Sequence, residues 1–341
     1  MLTVAIYLGD INTRARGLRT RLLKPLDLGR LAHARSLFGL QREFGALGLA
    51  PADTPATSAG LERAVRQRAA GLMAILGRWC ADERQAILAV ILDDEDRRSI
   101  LSILRGAEQG TASDTRLSGL VPTMHLSERA LGVLAAQPTM ADVVRMLVLW
   151  NHPFGTPLVD AVSGARPSLF EVEVALQRAF AGRALLSARK AGRHLVDYAR
   201  QLVDVMNAWS ALLHFPERDP AIVDLTFVEG GAFIDREAFR ELLALASFDE
   251  VREQLGRLLR GSSLAKVFTD EPKEVASLET AVLRAQLEEQ NHAARMDPEG
   301  TAPLISFALG LRAEALNLRR IIWGVALEAP AALLEAEVVA R

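Results

Sequence analysis

The densest run of chemically capable side chains is Asp93-Asp94-Glu95-Asp96, followed at once by Arg97-Arg98. Carboxylates in such a run can hold magnesium against a diphosphate. They do so only if another carboxylate stands one helical turn further on and a second acidic helix completes the ion's shell. Arg97 fills the first of those places, and no second acidic cluster follows. The run is therefore expected to be an acidic first turn on a surface helix, where the helix N-terminus favours anions. His33, His125, His152, His194, His214 and His292 show no His-x-x-x-His or His/Glu spacing that would set a metal on one helical face. The glycines form no Gly-x-x-x-x-Gly-Lys, Gly-x-Gly-x-x-Gly or Gly-x-Ser-x-Gly pattern. No catalytic residue, cofactor or metal is assigned on this basis, and direct nucleotide binding is not expected.

A quieter constellation recurs three times: Asp96 with Ser99, Asp204 with Asn207, and Glu314 with Asn317. An acid and a small polar group at i and i+3 lie side by side on one helical face. Two readings are open. The three faces line a common opening that grips a helical partner, or each pair bonds to nearby backbone and fixes its own unit. Arg105, Arg319 and Arg320 sit on the same predicted helices, with Arg319 a further contact candidate; pairing with those acids is the simplest expectation for all three. Trp79, Trp150, Trp209 and Trp323 are expected in helix packing, with a role as interface anchors as the other reading.

These pairs must be carried by helices. Ala, Leu, Arg and Glu dominate the chain, Tyr is nearly absent, and β-branched runs are short. The sequence also matches itself at an offset of about 108 residues: Asp96 to Leu147 aligns with Asp204 to Leu255 without a gap. Thr139 and Asp142 fall opposite Ser247 and Glu250, each a hydroxyl followed by an acid as at a helix start. A second signature recurs at Leu61-Glu62, Val172-Glu173 and Leu278-Glu279, which makes three copies. Leu26-Asp27, Leu126-Ser127 and Ile234-Asp235 each pair an apolar residue with a capping residue that opens a helix. Each unit reads as a helix, a loop (51–58, 153–168 and 261–272) and a longer helical pair. Turn formers at 110–118 and 216–220 divide the chain into 1–115, 116–225 and 226–341. Units of about 110 residues exceed the usual solenoid repeat, so three similar helical domains are expected.

Half of the 341 residues are apolar, 24% are charged, and the net charge is −2. That balance suits a globular protein and argues against a general nucleic-acid binder. Cys80 stands alone, which rules out an internal disulfide or a cysteine-based metal site and fits the cytoplasm. No window is long and apolar enough to span a bilayer, and Met1 to Asp10 lacks the features of a signal peptide. Arg14, Arg16, Arg19, Arg21, Lys24 and Arg30 face few acids and suit a solvated face, anionic headgroups or an acidic partner.

Several stretches carry a family resemblance over nearly the whole chain. They are Tyr7 with Arg14-Ala15-Arg16, Asp96 to Arg105, Asp204 to Asn207, Phe227-Val228-Glu229-Gly230-Gly231-Ala232-Phe233-Ile234-Asp235, and Glu314-Ala315-Leu316-Asn317-Leu318-Arg319-Arg320-Ile321. Together they resemble the C subunit of bacterial and archaeal V-type (A/V-type) ATPases, equivalent to the d subunit of the eukaryotic enzyme. Ser99 stands where that family carries Asn. The resemblance implies an all-α funnel of three pseudo-threefold domains and a non-catalytic place in the rotor. The partners it implies are the D and F subunits of the central shaft and the membrane proteolipid ring, at the cytoplasmic face of the membrane and for ion transport. A stand-alone helical adaptor is the alternative, and a magnesium-dependent helical synthase using Asp93, Asp94 and Asp96 is the enzyme reading.

Overall fold

The computed structural model describes residues 7–80, 84–164, 166–270 and 275–339. Pro272, in the last predicted linker, and Met1 at the start of the chain lie outside the described residues. Every regular element among those described is a helix. The chain opens with α1 (Gly9–Arg19), a short pair α2 (Pro25–Ala32) and α3 (Leu37–Ala46), and two long helices, α4 (Ser58–Arg78) and α5 (Gln85–Glu108). A second round has α6 (Ser113–Arg116), the pair α7 (Glu128–Ala135) and α8 (Met140–Leu149), the small α9 (Val159–Val162), and long α10 (Leu169–Ala191) and α11 (Arg193–His214). The third has α12 (Pro220–Thr226), the pair α13 (Arg236–Ala244) and α14 (Phe248–Leu258), the small α15 (Ala265–Asp270), and long α16 (Val275–Met296) and α17 (Ala302–Ala326), before α18 (Ala331–Ala336).

The offset seen in the sequence is reproduced in the helix starts. Helices α5, α7 and α8 begin at residues 85, 128 and 140, and α11, α13 and α14 at 193, 236 and 248. What reads in sequence as one opening helix per unit is a pair, because a hydroxyl residue restarts the helix each time. Ser36, Thr139 and Ser247 accept from the N–H groups of Gly39, Asp142 and Glu250 at the starts of α3, α8 and α14. Ser127 and Asp235 cap α7 and α13 as expected. The third member of that set is not Leu26-Asp27. Pro25 occupies the first turn of α2 and Lys24 precedes it, so Asp27 lies inside the helix, where its Oδ2 accepts from Lys24 N–H at 2.9 Å. Proline, with its fixed φ and missing N–H, sets the earlier start.

Each short pair packs on one long helix: α7 and α8 on α5, α13 and α14 on α11, and α2 and α3 on α17. The pair near the start of the chain is thus completed by a helix near its end. The long helices contact one another as α5 with α10, α10 with α11, α16 with α17, and α17 with α4. One apolar core, including Leu40, Leu61, Ile100, Leu131, Phe180 and Phe307, runs through most of the molecule. A second, around Phe239, Leu255 and Phe268, lies under α12 to α16. Among the described residues, no helix is long and apolar enough to cross a membrane.

Candidate functional site

The recurrent acids sit near the middle of α5, α11 and α17, and each reaches sideways to the segment that leads into a short pair. Asp204, fully buried, accepts from the backbone N–H groups of Ala232 at 2.9 Å, Phe233 at 3.1 Å and Ile234 at 3.0 Å. Asn207, one turn on, closes a two-point bond with Val228: its Nδ2 donates to the carbonyl at 2.9 Å and its Oδ1 accepts from the N–H at 3.0 Å. Asn317 forms the same pair of bonds with Val339, at 3.1 and 2.8 Å. Glu314 accepts from Leu23 N–H at 2.5 Å and from Arg68 Nε at 2.9 Å. In the first round the segment 123–126 is held by side chains. Asp96 accepts from Thr123 Oγ1 at 2.6 Å, and lies 3.2 Å from His125 Nδ1 and 3.3 Å from His152 Nε2. Ser99 is buried, and a serine cannot make the two-point bond of an amide.

Charge states follow from these partners. Burial works against the charge on Asp96, but the bonds from His125, His152 and Thr123 outweigh it and hold its carboxyl below the usual range. The bond to Asp96 in turn raises His125, against the effect of burial. For Asp204 burial prevails over three backbone N–H groups and pushes its carboxyl up.

Two glycines enter this loop, the first required by its backbone angle and the second by the contact with Asp204. Gly230 has φ +110°, a conformation that residues with a Cβ rarely adopt, and a Cβ on Gly231 would stand 2.3 Å from Asp204 Oδ1. Gly231→Ala is expected to lower stability by about 1–3 kcal/mol, read as a lower urea midpoint with an unchanged slope. A loss below a few tenths of a kcal/mol would show that the loop yields freely.

The Asp93–Asp96 run is not the surface first turn that the sequence suggests. Helix α5 starts at Gln85, so all four acids lie in its interior turns, and all four are buried. Each meets a cation or a proton donor. Asp93 bonds Arg183 of α10 at 3.1 Å. Asp94 faces three guanidiniums: Arg97 Nη2 at 2.7 Å, Arg98 Nε at 3.2 Å and Arg312 Nη2 of α17 at 2.6 Å. Glu95 pairs with Arg312 as well. Burial opposes the charge on Asp94, yet Arg98, Arg312 and Arg97 hold its carboxyl well below the ordinary range. On Asp93 burial wins over Arg183 and raises it.

Arg105, Arg319 and Arg320 do not pair with the recurrent acids. At nine, five and six positions beyond Asp96 or Glu314 they leave the helix on other faces. Arg105 forks onto Glu173 at 2.6 and 3.0 Å, Arg319 stands 3.8 Å from Glu62, and Arg320 donates to the Glu337 carbonyl at 2.7 Å. The glutamates of the second recurring signature are thereby given a role. Glu173 joins α5 to α10, and Glu62 takes Ser118 Oγ and Trp323 Nε1, each at 2.7 Å. Glu279 stands 3.7 Å from Arg98. A glutamate repeated at one place in every unit was the signal for these joints.

Between the long helices lies a concave space. One cavity of about 270 Å³ is lined from α5, α11, α16 and α17, and includes Ser99 and Arg319. A second, of about 540 Å³, lies between α5, α10 and α11. They share Arg98, Ser102, Val205, Trp209 and Glu279, so the two are continuous. Arginines outnumber acids on the wall, with Arg97, Arg98, Arg105, Arg116, Arg312, Arg319 and Arg320 set against Glu95, Glu173 and Glu279. Leu213 lines it at 61% exposure, and Trp209 does so with its ring against Phe268. Of the seven residues singled out in the sequence, Ser99 and Arg319 reach this wall, while Asp96, Asp204, Asn207, Glu314 and Asn317 stand behind it with their polar groups bonded inside the chain. Trp79 lies under the Arg14 guanidinium, and Trp150 is 39% exposed.

Comparison with known proteins finds relatives along most of the chain. The chain is 23% identical over 315 residues to the C subunit of the A-type ATP synthase of Haloquadratum walsbyi, a match that covers 89% of this chain and 86% of that protein. It is 24% identical over 288 residues to the C subunit of the A-type ATP synthase of Halorubrum lacusprofundi, covering 82% and 81%. The profile of the ATP synthase (C/AC39) subunit family matches residues 11–336. The chain belongs to that family.

Proposed function

We propose that this protein is a non-catalytic central-stalk subunit of an A/V-type rotary ATPase or ATP synthase, coupling the central shaft to the membrane proteolipid ring. The cavity between the long helices is the socket, and it receives the foot of the shaft formed by the D and F subunits. The three rounds of helices, near residues 1–115, 116–225 and 226–341, are the three domains of a funnel. The protein attaches peripherally at the cytoplasmic face of the membrane and turns with the ring during ion transport. The observation that carries the reading is the concave wall itself: an exposed leucine and a partly buried tryptophan among surplus arginines suit the apolar and acidic faces of an inserted helix end. Asp96, Asp204, Asn207, Glu314 and Asn317 support that wall, and Ser99 and Arg319 line it.

The reading is tested by affinity capture of the tagged protein from gently solubilised membranes. Recovery of the proteolipid ring together with both shaft subunits is expected. Recovery of neither, with the protein wholly soluble, would favour the stand-alone adaptor. Leu213→Asp places a charge on the socket wall without emptying a core. It is expected to reduce capture of the shaft subunits at least about tenfold while the thermal midpoint stays within a degree or two of wild type. Undiminished capture would move the contact away from this wall.

A further inference from the structure

The three recurrent acids are satisfied in different ways, and one of them has partners that a metal can replace. Asp204 is saturated by backbone N–H groups, and Glu314 by a backbone N–H and a guanidinium. Asp96 instead shares its Oδ2 between two imidazoles. Three positions earlier, Asp93 gives Oδ2 to Arg183, while its Oδ1 is buried and has no hydrogen-bond partner, although the residue is 0% exposed. A buried carboxylate oxygen left unpartnered is rare and costly, and it points to a missing ligand. One donor atom from each of Asp93, Asp96 and His125 lies within 4.8 Å of the other two. No other such group of histidine, cysteine or carboxylate is found among the described residues.

We propose that Asp93, Asp96 and His125 bind a divalent transition-metal ion of the zinc type. Zinc takes oxygen and imidazole nitrogen at about 2.0–2.2 Å in a tetrahedron, so its donor atoms lie about 3.3 Å apart. His125 Nδ1 and Asp96 Oδ2 already stand 3.2 Å apart, and a modest side-chain rotation brings in Asp93. The imidazole favours zinc, cobalt or nickel over magnesium and calcium. Two carboxylates supply the charge, one of them offset by Arg183. His125 leaves 35% of its side chain exposed, which gives the ion an entry path and a water in the fourth position. His152 takes another part. Its Nδ1 accepts from Phe154 N–H at 3.2 Å, so the proton sits on Nε2 and is donated to Asp96, orienting that carboxylate from behind. When the ion enters, the proton between His125 and Asp96 leaves. The loop 123–126 is then tied to α5 by coordination bonds.

The test is titration of chelator-treated full-length protein with zinc chloride by calorimetry, and with cobalt chloride by visible absorption. One equivalent of zinc is expected, with a tetrahedral cobalt spectrum and no competition from millimolar magnesium. Affinity should fall about 100-fold or more in both Asp93→Asn and His125→Ala. His125→Ala removes one of three bonds to buried Asp96 and should lower the midpoint without metal, so both titrations are made well below that midpoint on protein shown folded by circular dichroism. Zinc should raise the midpoint of wild type and not that of either variant. Failure of the wild-type protein to take up zinc overturns the site, as does one equivalent bound equally well by both variants.

Discussion

Asp204→Ala should destabilise the protein by about 4 kcal/mol, a large share of the roughly 5–15 kcal/mol that ordinarily separates folded from unfolded protein. The carboxylate is fully buried and receives the N–H groups of Ala232, Phe233 and Ile234. Alanine would leave all three donors pointing into a space with no acceptor, and unmet buried donors cost far more than a bond contributes when formed. Asp204→Asn keeps one acceptor oxygen and should lose roughly half as much. The measurement is urea unfolding followed by circular dichroism. If Asp204→Ala instead unfolds within about 0.5 kcal/mol of wild type while failing to capture the shaft subunits proposed above, the acid acts by touching a partner and not by holding the loop.

The second large effect is expected at Asp94. Its replacement by alanine would strand Arg97 and the Asp94 side of Arg312, while Arg98 keeps Glu279 and partial exposure, in a region where Asp94 is only 1% exposed. Removing one member of a buried charge network leaves an uncompensated charge and typically costs about 3–5 kcal/mol. The cost belongs to charge and not to shape, so Asp94→Asn, nearly isosteric, should be almost as damaging. If the asparagine variant loses under about 1 kcal/mol, the network is screened better than its burial suggests. The same variants also answer the synthase reading, in which Asp94 would bind magnesium: both of its oxygens are taken by guanidiniums. A magnesium-dependent activity that vanishes in Asp94→Ala while the fold survives would reinstate that reading.

Much of the architecture was legible because helix periodicity, capping residues and repetition are local properties. The offset of about 108 residues placed α11, α13 and α14 from α5, α7 and α8, and Thr139 and Ser247 cap where a hydroxyl precedes an acid by three. Partner identity was less legible. The i,i+3 rule put Asp96 beside Ser99 and Asp204 beside Asn207, but not what they face, because Thr123, His125 and His152 lie 27, 29 and 56 residues away from Asp96. The burial of Asp93 to Asp96 was hidden for the same reason. Arg97 and Arg98 are adjacent, but Arg183 and Arg312, which also make the buried acidic run tolerable, stand 90 and 218 positions from their respective partners Asp93 and Asp94. The concave wall was legible only in part: Ser99 and Arg319 were singled out, whereas Ser102, Val205 and Leu213 are unremarkable until α5 and α11 face one another.

The short pair α2 and α3 rests on α17, with Leu23 bonded to Glu314 across 291 positions of chain and Val339 bonded to Asn317 on the same helix. As the chain leaves the ribosome, the first two long-helix platforms can recruit segments made moments later. The last platform must instead capture one made at the outset, which waits with its apolar face uncovered through nearly the whole of synthesis. Loop-closure entropy grows only with the logarithm of that separation, so the bond is affordable once formed. The delay in forming it is long. Assembly is therefore a latch that shuts last, and a nascent chain short of α17 carries an exposed apolar surface that a chaperone would recognise.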